Sequence, residues 1–103
     1  QYALHLTGGI SDYTQSVTGM DARFLVKAET TDTSCNPGSG TTIYGQQTLL
    51  SAYNATPQPF GTLVPGGRLY VIWSNAWDSS AGNQNALQGQ TLTVNTFMTG
   101  QTD

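Results

Sequence analysis

The chain has 103 residues, a formal net charge of −3 at pH 7 and three basic residues, Arg23, Lys27 and Arg68. That length suits one domain with one modest core, and so few cations exclude a phosphate-tracking nucleic-acid surface or an anionic-membrane patch. No apolar stretch nears the roughly 18 residues of a membrane span; the longest is Leu69–Trp73.

Charge is replaced by uncharged polar side chains: 16 Thr, 9 Gln, 8 Ser and 6 Asn. High Thr with little Lys and Glu favours strands, because β-branched side chains suit a pleated sheet. Low net charge with 10% aromatic residues argues against disorder. A single cysteine, Cys35, excludes an internal disulfide and Cys-rich zinc patterns. The Thr/Asn/Gln/Gly-rich, Lys-poor composition points to a secreted, extracellular protein.

Turn signals punctuate the chain at Gly8-Gly9, Asn36-Pro37-Gly38, Pro57-Gln58-Pro59 and Pro65-Gly66-Gly67. Between them the elements run in order. Tyr2 to Thr7 alternates, with Tyr2, Leu4 and Leu6 on one face. Ala22 to Glu29 is a half-buried strand, with Phe24, Val26 and Ala28 facing one way and Leu25, Lys27 and Glu29 the other. Thr41 to Asn54 holds one long strand or two broken near Gly45. A helix over Gly45–Tyr53 is the weaker option, because Gly45, Thr48 and Ser51 are poor helix formers. Phe60 to Val64 is a short edge piece between prolines. Arg68 to Asn75 is apolar on both faces and predicts a central strand. Thr91 to Met98 alternates through Leu92 and Val94. Short strands with frequent turns predict a single all-β domain over residues 1–103, an antiparallel β-sandwich of jelly-roll type.

Catalytic groups are scarce. The one histidine, His5, lies on an alternating strand, with no nucleophile elbow to serve. Cys35 has no local base or cation to activate it. The six carboxylates are scattered, and no Gly-rich stretch leads into a Lys-Ser/Thr pair. The expectation is that the chain is not an enzyme.

One segment concentrates recognition chemistry. Trp73 to Asn85 leaves the expected central strand and carries two Trp, one Asp and three Asn in 13 positions. Carboxamides and a carboxylate bond sugar hydroxyls, and an aromatic face covers the apolar side of the ring. The expected ligand set is Asn75, Trp77, Asp78, Asn83 and Asn85, completed by Tyr53 and Asn54 from the end of another strand-like run. Asp78, Asn83 and Asn85 also offer hard oxygen ligands for calcium. The bland alternative is a structural loop, with Trp73 in the core and Trp77 capping the sandwich.

The stretch Leu69–Val94, an apolar strand, an Asn/Asp loop with Gly82-Asn83-Gln84-Asn85 and a Gly-Gln-Thr-Leu-Thr-Val ending, resembles the C-terminal part of soluble calcium-dependent galactose-binding bacterial lectins. The loop here is longer and lacks that family's adjacent Asn-Asp and Asn-Asn pairs. The resemblance implies a jelly roll that holds sugar through calcium at this loop.

Two functions are expected from these features. The first is a non-catalytic lectin-like domain that binds a glycan or glycoprotein and forms a homo-oligomer. The second is a structural subunit of a filament, pilus or capsid, with Gln1–Thr7 added as a strand to a neighbour.

Overall fold

The computed structural model describes residues 2–78 and 87–103. These form six strands: β1 (Leu4–Gln15), β2 (Phe24–Thr31), β3 (Thr41–Thr48), β4 (Gln58–Leu63), β5 (Tyr70–Trp77) and β6 (Leu92–Thr102). A short helix, α1 (Leu49–Asn54), follows β3, and a 3-10 turn, Met20–Ala22, follows β1. The strands make two antiparallel three-stranded sheets, ordered β4-β1-β6 and β3-β2-β5. The fold is nearly all-β and sandwich-like.

The core lies between the sheets. Ile10, Val26, Ala28, Tyr44, Leu49, Ala52 and Phe60 are its buried members, and Leu6, Tyr13, Phe24, Trp73, Leu92 and Val94 pack around them. Three aromatic rings form its centre: Trp73 stacks on Tyr44 at 5.7 Å, and Phe60 meets Tyr44 at 6.3 Å and Trp73 at 6.2 Å.

Gly8-Gly9 is not a turn. It lies inside β1, buried, because only glycine lets that strand pass so close to Thr56 and Tyr44. Further along, the β1–β6 register skips Ser11. This bulge reverses the strand's inward parity, from Leu4, Leu6 and Ile10 to Tyr13 and Gln15.

Thr41–Asn54 is a strand followed by a helix. Thr48, extended at φ −65° and ψ 153°, ends β3, and its side-chain oxygen accepts from the Ser51 amide at 3.2 Å. The threonine that counts against a helix interior is therefore the N-cap. Leu49 and Ala52, three apart, bury one face of α1.

Among the described residues β5 pairs with β2 alone, and β2 holds the centre of the sheet. β2 is also more deeply buried than its alternation suggests, with Glu29 2% exposed on its outer face. The segment between β2 and β3 folds back over it, and the Gly38 amide donates to Glu29 Oε1 at 2.6 Å. Lys27 Nζ lies 3.7 Å from the other oxygen, so the buried carboxylate is both paired and hydrogen-bonded. The edge piece expected over Phe60–Val64 is β4, which starts earlier and runs Gln58–Leu63. β1 is paired on both sides from Leu4 to Gly8, so in this fold most of Gln1–Thr7 has no free edge to give a neighbour.

Candidate functional site

β5 continues to Trp77, so Trp73, Asn75 and Trp77 are strand residues, not loop residues. Alternation puts them on one face. Their partners on β2 are Ala28, Val26 and Phe24, which fixes that face as the one toward the core. Trp73 is half-buried among the core rings. Asn75 is exposed, and Trp77, at the strand's end, is 39% exposed. The order core, rim, solvent along one face turns Trp77 into an aromatic surface at the open end of the sandwich.

Beside Trp77 lies a hollow of about 340 Å³, lined by Met20, Trp77, Leu87, Gln88 and Gln90. Met20 is buried and anchors the 3-10 turn as its floor. Gln88 and Gln90 bring two carboxamides to the wall, each able to donate and accept. Gln90 also accepts from the Ser16 hydroxyl at 2.8 Å, which ties this wall to the end of β1. Asp78 is half-buried, and its amide donates to the Arg23 carbonyl at 2.8 Å, fixing the chain as it leaves β5.

Tyr53 and Asn54 lie on α1 rather than at the end of a strand. α1 packs against the 3-10 turn, so both sit at the same end as Trp77. The link is specific. The Tyr53 ring lies 5.3 Å from the Tyr13 ring, and Tyr13 donates its hydroxyl to Asp21 of the 3-10 turn at 2.6 Å. Asn83 and Asn85 lie outside the described residues. Among the described residues no three of His, Cys, Asp and Glu come together as a metal-binding group. Met20, Leu87, Gln88 and Gln90 were not foreseen; Leu87–Gln90 is a turn, closed by the Gln90 amide on the Leu87 carbonyl with Gly89 at φ +77°, so no strand or helix period marked the two glutamines.

The Asp21 carboxylate that accepts the Tyr13 hydroxyl favours the protonated phenol, and Tyr13 is pushed up to about 12 from 10.0. A raised folded pKa contributes stability that is complete below the unfolded value of 10 and is lost as pH rises through 12. In an ultraviolet titration Tyr13 is expected to ionise near 12, and Asp21→Asn should bring its transition down toward 10. A Tyr13 transition that Asp21→Asn leaves unmoved would show the hydrogen bond to be absent.

His5 is on the outer face of β1, with its Nε2 against the Asp103 carboxylate and its Nδ1 3.4 Å from the Thr62 hydroxyl. Asp103 is held below its usual value by the hydrogen bond from His5 and then by that from the Ala3 amide. His5 and Asp103 are 54% and 52% exposed, so water competes with their contact. Cys35 is an exposed free thiol.

A larger hollow, about 800 Å³, lies at the opposite end of a molecule 55 Å long. Its lining includes Thr30, Thr31, Ser39, Thr41 and Thr62, with Asp32 and Arg68. It has more room but no aromatic face. For a ligand with both hydroxyls and an apolar ring face, the smaller site at Trp77 offers the better chemistry.

No family model, no curated protein and no solved structure matches the chain. The likeness of Leu69–Val94 to the galactose-binding lectins therefore rests on those residues alone.

Proposed function

We propose that this chain is a secreted, non-catalytic carbohydrate-binding domain. The observation that carries the reading is the exposed Trp77 beside a hollow walled by the carboxamides of Gln88 and Gln90. Trp77 supplies a stacking face for the C–H side of a sugar ring. Gln88, Gln90 and Asn75 supply hydroxyl partners, and Tyr53 and Asn54 extend the surface along the same end. Asp78 with Asn83 and Asn85 would provide the oxygen ligands if calcium bridges protein and sugar.

The finer architecture proposed is a jelly roll. Its support is nested pairing: β1 with β6 and β2 with β5, while β3 approaches β4 across the α1 connection. A hairpin of strands rolled up on itself gives that nesting.

A glycan array read with and without EDTA tests the proposal. Binding to a defined sugar class is expected, and an empty array under both conditions would remove the reading. Binding unchanged by EDTA would remove calcium alone. Trp77→Ala should lower affinity about twofold to tenfold, the range of an aromatic contact. A variant within twofold of the parent would show that Trp77 does not stack.

The second reading is a structural subunit that assembles by strand addition, favoured by the outer edge of β6, which has no strand partner among the described residues. Light scattering separates the two, because a growing polymer contradicts a discrete lectin.

A further inference from the structure

We infer that the large hollow at the end of the molecule opposite Trp77 is a second small-molecule site, and that its ligand is a hydroxyl-rich carboxylic acid of the size of a sugar acid. The hollow follows from how the strands end. β2 and β5 stay paired as far as Thr31 and Tyr70 and then part. β3 begins opposite Thr30, at Thr41, and β4 ends at Leu63. All three strand ends and the segment leading into β5 contribute walls to a space of about 800 Å³. Small-molecule sites measure roughly 300–1,000 Å³, so the room suffices.

Thr30 carries the argument that this space is a site. Among the described residues the buried polar side chains are Glu29, Thr30 and Thr31. Glu29 holds the Gly38 amide and Lys27, and Thr31 holds the Thr33 hydroxyl. Thr30, 6% exposed, has no side-chain hydrogen bond among the described residues. It follows Val26 and Ala28 on the inward face of β2 and pairs with Val71, which packs against the core. Yet no side-chain nitrogen or oxygen sealed from solvent lacks a partner. The Thr30 hydroxyl is therefore reached from the space it borders, which is the hollow.

The charges define the ligand. Asp32, the first residue past β2, and Arg68, two residues before β5, both border the hollow. The ion pairs among the described residues are His5 with Asp103 and Lys27 with Glu29, so Asp32 and Arg68 belong to neither. An uncommitted guanidinium matches a carboxylate through two parallel hydrogen bonds. A carboxylate such as Asp32 accepts hydroxyls and repels anions. An acid group on Arg68 with hydroxyls on Asp32 and Thr30 satisfies all three side chains at once. A neutral sugar leaves Arg68 without its anion, and a compact dianion such as phosphate meets Asp32. The hollow has no aromatic lining, so polar groups rather than a stacked ring decide its selectivity.

The test uses the whole chain labelled with nitrogen-15. Glucuronate and galacturonate are the probes, and glucose and galactose are their neutral counterparts. The amides of Gly40, Gly66 and Gly67, which border the hollow, should shift with the acids and far less with the neutral sugars. Added salt should weaken the response. Arg68→Ala should lower acid affinity about tenfold to a hundredfold, the range for a hydrogen-bonded charged partner. Arg68→Lys should lose less, because it keeps the charge without the fork. Thr30→Val keeps the shape and should lose about twofold to tenfold. Circular dichroism should be unchanged in all three. Amides that stay unmoved up to about 10 mM acid, above the millimolar scale of weak binding, overturn the proposal. So does an equal response to acid and neutral sugar, or an acid affinity that Arg68→Ala leaves intact. Shifts confined to Gln88 and Gln90 would put the acid at the Trp77 end and overturn it too. The readout is local to this hollow, so its failure is separate from failure of the Trp77 site.

Discussion

Phe60→Ala is expected to cost about 3–5 kcal/mol, the range for truncating a buried aromatic side chain. Phe60 is 1% exposed and completes the ring cluster with Tyr44 and Trp73. It comes from an edge strand, where little else can move inward to fill the space. A domain of this size is stable by about 5–15 kcal/mol in all, so this one change removes a large share of it. Urea denaturation followed by tryptophan fluorescence should show the midpoint fall sharply, with Trp73 reporting from the cluster itself. Phe60→Leu keeps most of the volume and should cost less than half as much. If Phe60→Ala cost under 1 kcal/mol, the three-ring centre would be wrong.

Phe60 also shows why the core was only partly legible. The β1–β4 register runs Leu6 with Gly61 and then Thr7 with Pro59, so Phe60 is the extra residue of a bulge. A bulge breaks the two-residue period on which pattern reading depends. Ser11 does the same in β1, which is why Ile10 and Tyr13, three apart, share one side of the sheet. Where the period is intact the pattern spoke clearly. Val26 and Ala28 in β2 are buried as the alternation indicated, and Leu92 and Val94 in β6 pack against the core.

β5 misled for a different reason. Tyr70 and Ile72 make its outer face apolar, and a strand apolar on both faces reads as central. Hydropathy reports what lies above and below a strand, not what lies beside it. Ile72 is 8% exposed on that outer face, yet among the described residues β5 has a single neighbour in its sheet. The candidate site was legible in its residue types and not in its geometry. The Trp73–Asn85 segment brings Trp77 to the end of the molecule where Met20, Gln88 and Gln90 lie. That Asn75 and Trp77 share a face required knowing that the strand extends past Asn75. That Gln88 and Gln90 border Trp77 required the return of the chain toward β6. Nothing in the local sequence around either glutamine carries that information.

Gly9→Ala is expected to be strongly destabilising although it adds only a methyl group. Gly9 is at φ +152°, a conformation L side chains rarely adopt, and strain of that kind costs about 1–3 kcal/mol. Space is the second problem. A Cβ there would lie 2.6 Å from both Thr56 Cγ2 and Thr56 Oγ1, and 2.7 Å from the Tyr44 hydroxyl. Overpacking adds about 1–3 kcal/mol. The crowded atoms are a hub that tethers α1 to both sheets. Thr56 Oγ1 accepts from the Ile10 amide at 3.2 Å, donates to the Ala52 carbonyl at 3.0 Å and lies 2.8 Å from the Tyr44 hydroxyl. The methyl must therefore displace a buried network whose members depend on one another. The expected total is about 2–6 kcal/mol by urea denaturation. Gly45→Ala is the control: its Cβ meets nothing within 4 Å, and its effect should stay within about 0.5 kcal/mol. Thr56→Ala removes two of the three clashing atoms, so Gly9→Ala with Thr56→Ala should cost less than the sum of the single changes. Strict additivity would mean that the close approach of β1 to Thr56 does not exist, and that Gly9 matters through its backbone angle alone.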